Sequence, residues 1–344
     1  MSSAPTPRPR PRKIYWLIAI LLAIVLLYFS LRGIDWRQVW NILRRAKIAF
    51  VALWLFLVTV AMVLRALRWR VLLRSRAAVG FGTAFWATAA GYLGNSFLPA
   101  RAGELVRTVM VSGRSGLSTA FVLTTALSER LCDAIALVII SSVVLLTLPV
   151  RPGWFSHAAK PFAIIGLCGV TAIIVLPKLE RLWRKLLGYA PVPVTIKDKL
   201  SSILEHILTG VRALHNPFRL LRFVGFTALI WLTDAVSTQI GMHSLGMHIS
   251  LPVAFLLIAG LGLGSALPST PGYVGIYQFV AVTVLVPFGF SQTDAIAYIL
   301  LAQAVQYVVI TFWGLLALAG SRDLNFRSQP VLAEEHVASA PYPR

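Results

Sequence analysis

Gly91–Arg107 reads GYLGNSFLPARAGELVR, which sets a proline, glycines at 91, 94 and 103, and the ionisable Arg101, Glu104 and Arg107 into otherwise continuous membrane helix. A second stretch, Gly260–Gln278, answers it with GLGLGSALPSTPGYVGIYQ. With Gly91 laid on Gly260, the two also coincide at Ala90/Ala259, Ser96/Ser265, Leu98/Leu267, Pro99/Pro268 and Gly103/Gly272. The same shift carries Ile48–Leu64 onto the run that begins near Phe218, and Ser118–Leu148 onto the region of Thr293–Leu316. The chain therefore reads as an internal duplication, repeat 1 over about 48–148 and repeat 2 over about 217–317, each a helix, a broken hairpin and a helix.

Apolar residues make up 58% of the sequence and charged residues 13%, with a mean hydropathy of +0.78. This excludes an ordinary soluble domain. Apolar runs of membrane-crossing length occur at Ile14–Leu31, Ile48–Leu64, Leu131–Leu148, Phe162–Leu176, Phe223–Met242, Leu251–Leu267, Val274–Phe290 and Ala295–Ala319. The expected fold is an all-α polytopic membrane protein with about eight transmembrane helices, and Phe81–Leu98 as a further embedded segment. The formal charge of +20 sits in short loops between the runs, as the positive-inside rule describes. Nucleic acid is excluded as a partner, and part of the excess suits anionic head groups. Cys132 and Cys168 lie in or beside apolar helices, and the histidines, His243 and His248 included, show no ligand spacing. No disulfide framework, metal or cofactor is expected.

Residues 1–13 form a basic, proline-rich tail, expected to be disordered and held in the cytoplasm by Arg8, Arg10, Arg12 and Lys13. Ile14–Leu31 is long for a signal-peptide core and lacks a cleavage site, so it reads as a retained helix opening a transmembrane domain over 14–320. Ile34–Ala46 places Trp36, Val39, Trp40 and Leu43 on one face, as an interfacial helix does. Arg65, Arg68, Arg70, Arg74 and Arg76 read as a cytoplasmic loop, and the polar loop 177–222 falls on the same side. Both anchors share that side only if Phe81 to about Val111 dips in and returns. The hairpin Leu251–Phe290 then enters from the opposite face, so the repeats are inverted. Both termini are cytoplasmic, with 321–344 a disordered tail. Gly33–Lys47 lands outside although Arg37, Arg44, Arg45 and Lys47 outnumber Asp35.

Irregular backbone at membrane depth is tolerated only where protein buries it or a cavity wets it. Two Gly/Pro breaks at matching positions therefore point to a binding site between the repeats, shaped by Gly91, Pro99, Gly103, Pro268, Pro271, Gly272 and Gly275. The half-helices after Ala102 and Pro271 would turn their amide ends toward it. Arg101, Glu104 and Arg107 sit at the first break; Glu129, Arg130 and Asp133 open the next long helix, with Glu129 and Asp133 facing one way. The expected arrangement pairs Glu104 or Glu129 with Arg101, Arg107 or Arg130 and leaves positive charge for a phosphate. The alternative, charges that anchor helix ends, stays open for Glu104, Arg107 and Arg130. Asn95, Ser96, Ser265, Ser269 and Thr270 offer small polar contacts or helix packing. Tyr92, Tyr273, Tyr277 and Gln278 are candidates for the second half of the site, the tyrosines equally for an interfacial belt. Asp234 is an intramembrane carboxylate, either a proton-coupling group or partner of an arginine, or a packed acid. The GLGLG run at Gly260–Gly264 lacks the βαβ setting of a nucleotide loop.

With these residues in hand, the chain resembles the transmembrane region of lysylphosphatidylglycerol synthases, also met as stand-alone, UPF0104-type membrane proteins. The resemblance rests on NSFLPARAGELVR (Asn95–Arg107), ERLCD (Glu129–Asp133) and LPSTPGYVGIYQ (Leu267–Gln278), within about Ile14–Ala319. It implies a bacterial or archaeal inner-membrane protein that translocates lipids, with anionic or aminoacylated phospholipids or polyprenyl-type lipids as cargo. In full-length synthases this region is thought to move aminoacylated phosphatidylglycerol outward while a soluble domain makes it. No such domain is read after the last helix, so a transporter rather than an enzyme is expected. A lipid transferase is the less favoured alternative. Beside membrane lipids, the reading admits a separately encoded lipid synthase and a second copy of the chain as partners. Tyr273 and Gln278 stand where the commoner family form resembles a second glycine and an acid, which puts the usual lipid in question.

Overall fold

The computed structural model describes residues 11–98, 102–147, 164, 171, 216–265 and 271–320, with side chains from residue 20 onward. Most of the crossing read at Phe162–Leu176 and of the loop 177–222, together with residues 1–10 and 321–344, lie outside that set. Every regular element among the described residues is helical. In chain order these are α1 (Pro11–Leu31), α2 (Trp36–Arg44), α3 (Ile48–Leu73), α4 (Phe81–Phe97), α5 (Gly103–Ser115), α6 (Thr119–Thr147), α7 (Pro217–Ser244), α8 (Leu251–Gly264), α9 (Ile276–Leu285) and α10 (Gln292–Ala319). Short 3-10 turns stand at Pro271–Tyr273 and Val286–Phe288.

Length separates these helices into two kinds. Four of them, α3, α6, α7 and α10, are long and apolar enough to cross a membrane. At about 1.5 Å per residue, the 17, 13, 14 and 10 residues of α4, α5, α8 and α9 each fall short of roughly 30 Å of hydrocarbon. They pair instead as two hairpins, α4 with α5 and α8 with α9. Helix α1 is helical from the first described residue, Pro11, through Leu31. Helix α3 continues to Leu73, so Arg65, Arg68 and Arg70 are helical rather than loop residues. That corrects the cytoplasmic-loop reading for those residues: the helix is longer than its apolar run because the arginines find partners inside the protein.

The helices of the two halves pack in a matching pattern. Helices α3 and α7, the first of each repeat, run against each other. The hairpin helix α4 packs on α10, the last helix of repeat 2, and α8 packs on α6, the last helix of repeat 1. Each hairpin thus packs on the last helix of the other half as well as on helices of its own.

Both hairpins close through glycine. A Cβ on Gly103 would overlap the Gly91 carbonyl and the Asn95 side chain, so α5 meets α4 backbone to backbone at the two glycines singled out as breaks. In the second hairpin, Gly272 and the non-glycine Tyr273 both take positive φ, 74° and 59°. This left-handed pair ends the approach from α8 and redirects the chain into α9.

Candidate functional site

Between the hairpins lies a cavity of about 390 Å³, lined from both repeats. Repeat 1 contributes Arg65, Tyr92, Asn95, Glu104, Arg130 and Asp133. Repeat 2 contributes Asp234, Tyr273, Tyr277, Tyr298, Gln303 and Tyr307.

The ionic half is a chain of paired charges. Arg107, 1% exposed, donates from Nε to Glu104 at 2.5 Å and from Nη1 to Glu129 at 3.0 Å. Its guanidinium lies 4.5 Å from the centre of the Trp69 ring. Arg68 continues the chain with two bonds to Glu129, at 3.1 and 3.0 Å, and two to Asp133, at 2.5 and 2.8 Å. Arg130 donates from Nε to Glu104 at 3.0 Å above the Tyr92 ring, and Asn95 donates to the same carboxylate at 3.3 Å. Arg65 and Asp234 form a further pair across the repeats. Charges this deep are costly unless paired, and the pairs answer that cost.

The pairing alters what the sequence alone suggests. Among the described residues, Arg65, Arg68, Arg107 and Arg130 are matched by Glu104, Glu129, Asp133 and Asp234. The expected surplus of positive charge is therefore not found among them. Arg107 and Glu129 are struts inside the protein and do not line the cavity. Arg130 does line it: its side chain is 32% exposed, and among the described residues its Nη groups carry no hydrogen bond. Arg101, Pro99, Pro268, Ser269 and Thr270 lie outside the described residues, as does the side chain of Pro271.

The second half is aromatic. Tyr273 and Tyr277 stack with ring centres 4.9 Å apart and planes 14° from parallel. Gln278 turns away from the cavity: its Oε1 accepts from Gly275 N at 2.8 Å and its Nε2 donates to Gln303 at 2.7 Å. Gln303 in turn donates to the Gly272 carbonyl at 2.9 Å. Gln278, Gly275 and Gly272 thus hold the shape of the break. Ser96 and Ser265, counterparts in the two repeats, each bond a carbonyl of their own helix at the cavity wall. Where repeat 1 has Arg68, Glu104, Glu129, Arg130 and Asp133, the counterpart positions of repeat 2 hold Ser237, Tyr273, Tyr298, Ile299 and Ala302.

Four buried side-chain atoms lack a hydrogen-bond partner among the described residues, and three of them, Asn95 Oδ1, Trp231 Nε1 and Ser237 Oγ, belong to cavity-lining residues. An unsatisfied buried polar atom costs about 1–3 kcal/mol. No group of His, Cys, Asp and Glu suited to a metal occurs among the described residues. The members of the site missed in the sequence are Arg65, Arg68, Tyr298, Gln303 and Tyr307. A signal was present for one of them: the repeat overlay sets Arg65 on Asp234, opposite charges at equivalent positions.

Comparison with known proteins follows the same outline. The chain is 25% identical over 347 residues to the glycosyltransferase AglD of Haloferax volcanii, an alignment that takes in 90% of this chain and 55% of that protein. It spans only about half the length of that relative. It is 23% identical over 337 residues to the UPF0104 membrane protein PH1989 of Pyrococcus horikoshii, covering 91% of this chain and 98% of that one. A third relative, the UPF0104 membrane protein MJ1078 of Methanocaldococcus jannaschii, is 23% identical over 224 residues, 64% of this chain and 90% of its own. The sequence profile of the lysylphosphatidylglycerol synthase TM region matches residues 16–314. The chain is a multi-pass membrane protein and belongs to that family.

Proposed function

We propose that this protein carries lipids between the two leaflets of a cell inner membrane, as a flippase or scramblase-like transporter without chemistry of its own and with both termini in the cytoplasm. The observation that supports this most is the cavity between two hairpins too short to span, ion-lined on one side and otherwise largely apolar and aromatic. A head group would occupy it while acyl chains remain in the bilayer. Arg130 meets the phosphate through its Nη groups, Glu104 and Asn95 hold Arg130 in place or receive a cationic head group, and the stacked Tyr273 and Tyr277 form the opposite wall. Arg68, Arg107, Glu129 and Asp133 brace this arrangement from behind. Arg101 belongs to the same motif and is tested alongside Arg130.

The test is a leaflet assay. Purified protein is placed in vesicles carrying fluorescent phosphatidylglycerol, aminoacylated phosphatidylglycerol or a polyprenyl phosphate, and dithionite quenches the exposed label. Quenching beyond the outer half, lost in Arg130→Ala and Arg101→Ala, is the expected result. Wild-type rates in both folded variants would sink the assignment.

The partial match to a protein named a glycosyltransferase favours one other reading, in which the chain is the membrane partner of a lipid-modifying enzyme or a lipid transferase itself. Chemical change of any lipid by the purified protein would select the transferase. Transport-free function that depends on the loop 177–222 would select the partner.

A further inference from the structure

Where α3 ends and α7 begins, four arginines converge on one groove of about 440 Å³: Arg70 and Arg74 from α3, Arg219 and Arg222 from α7. The rest of its described lining is apolar, Leu67, Val71 and Phe226, and no carboxylate is among those lining residues. Of these, Arg70, Arg74 and Arg222 are like charges brought into one groove, which repel unless an anion joins them. The amides that begin α7 do not supply the recognition, because Asn216 Oδ1 already accepts from the N–H groups of Phe218 and Arg219. Recognition falls to the guanidinium groups, one of which is aimed by the bond from Arg70 Nε to the Val79 carbonyl at 2.9 Å. Beside the groove, α7 presents Phe218, Leu221 and Val224 to the outside at 73, 70 and 53% exposure. A membrane-spanning helix meets acyl chains with such a face.

We infer that this groove is a second lipid site, separate from the cavity, which binds the phosphate of an anionic phospholipid between Arg70, Arg74 and Arg222 while its chains lie along Leu67, Val71 and Phe226. Loop arginines that only set topology need no shared pocket. These come from helices of different repeats and share one with an apolar wall, which suits a lipid better than a free anion. The inference does not depend on the transport reading.

The experiment measures binding to the full-length protein in neutral detergent, with dioctanoyl phosphatidylglycerol, dioctanoyl phosphatidylcholine and inorganic phosphate as probes. Phosphatidylglycerol is expected to bind and the other two to bind far more weakly. The double variant Arg74→Gln/Arg222→Gln, at two exposed positions, is expected to lose roughly 30-fold in affinity, from about 1 kcal/mol for each basic residue. The double variant Arg74→Lys/Arg222→Lys retains part of that affinity, and each double variant is measured in the Arg130→Gln background, which removes the cavity's contribution and is expected to leave phosphatidylglycerol bound at the groove. Wild-type affinity in the Gln variant overturns the proposal. So does loss of binding in Arg130→Gln instead, or inorganic phosphate binding as tightly as the lipid. If the Gln variant fails to fold, an unchanged affinity in the Lys variant counts against the guanidinium geometry just as directly.

Discussion

Arg65 and Asp234 are separated by 169 residues and bonded to each other, Nη2 to Oδ2 at 2.5 Å. That separation is the offset between the repeats, since α3 starts at Ile48 and α7 at Pro217. A residue meets its own counterpart only beside the axis that relates the two units. For repeats so related the pair would stand at that axis, in the cavity wall, and of the readings open for Asp234 it selects the partner of an arginine.

Positions related by a two-fold axis are geometrically interchangeable, so the pair should survive inversion. Arg65→Ala and Asp234→Ala are each expected to cost roughly 3 kcal/mol by leaving a charge unpartnered. The double variant Arg65→Asp/Asp234→Arg is expected to regain most of that stability. Thermal unfolding in detergent decides it, and a double variant no better than the singles would deny the pair its place on the axis.

Glu129 joins Arg68 and Arg107 while Arg130 faces the cavity, and the two should part in experiment. Glu129→Gln is expected to lower stability by about 3–5 kcal/mol because buried guanidinium groups lose their counter-charge. Arg130→Gln should leave unfolding within about 1 kcal/mol of wild type yet remove leaflet transport. Unfolding and vesicle assays on the same preparations separate a strut from a head-group ligand.

The backbone contact between α4 and α5 gives a third test. Gly103→Ala forces the hairpin apart and is expected to destabilise by about 1–3 kcal/mol. Gly113→Ala, in the same helix, meets nothing within 4 Å and should be neutral or stabilising by up to about 1 kcal/mol. Equal effects of the two would mean that general helix propensity, rather than the contact, controls α5.

Gln278 is predicted to shape the second break rather than select lipid. Gln278→Ala removes bonds to Gly275 and Gln303 and should cost about 1–3 kcal/mol through the groups left unsatisfied. Relative rates among lipids should stay the same in the leaflet assay. A changed preference would return Gln278 to the head-group site.

Much of the architecture was legible because it is written in spacing. Gly91, Gly103 and Gly272 repeat at fixed distance, and polypeptide in hydrocarbon has few ways to satisfy a broken helix. Glu104, Arg130, Asn95 and Tyr273 were also readable as cavity residues, since a charge, an amide or a phenol beside such a break needs water or a partner. Arg65 and Arg68 were harder. Their neighbours Trp69 and Arg70 continue a run that resembles a basic loop, and only the three-dimensional arrival of Asp133, Glu129 and Asp234 makes an arginine tolerable inside α3. The turn of Arg107 and of Gln278 away from the cavity and into the protein was equally beyond reach, because adjacent residues of a helix share composition but point in different directions.

The unequal halves carry a last consequence. Two identical inverted repeats that exchange roles would give inward-open and outward-open forms of the same energy, equally populated by symmetry alone. Here, among the described residues, every ion of the paired network except Asp234 belongs to repeat 1, while Ser237, Tyr273 and Tyr298 hold the matching places in repeat 2. For a transporter that works by such exchange, the two forms are no longer degenerate, and each ~1.4 kcal/mol of difference is a tenfold bias in population. The resting orientation is then a property inherited from sequence divergence after duplication, present before any gradient or cargo acts on the protein.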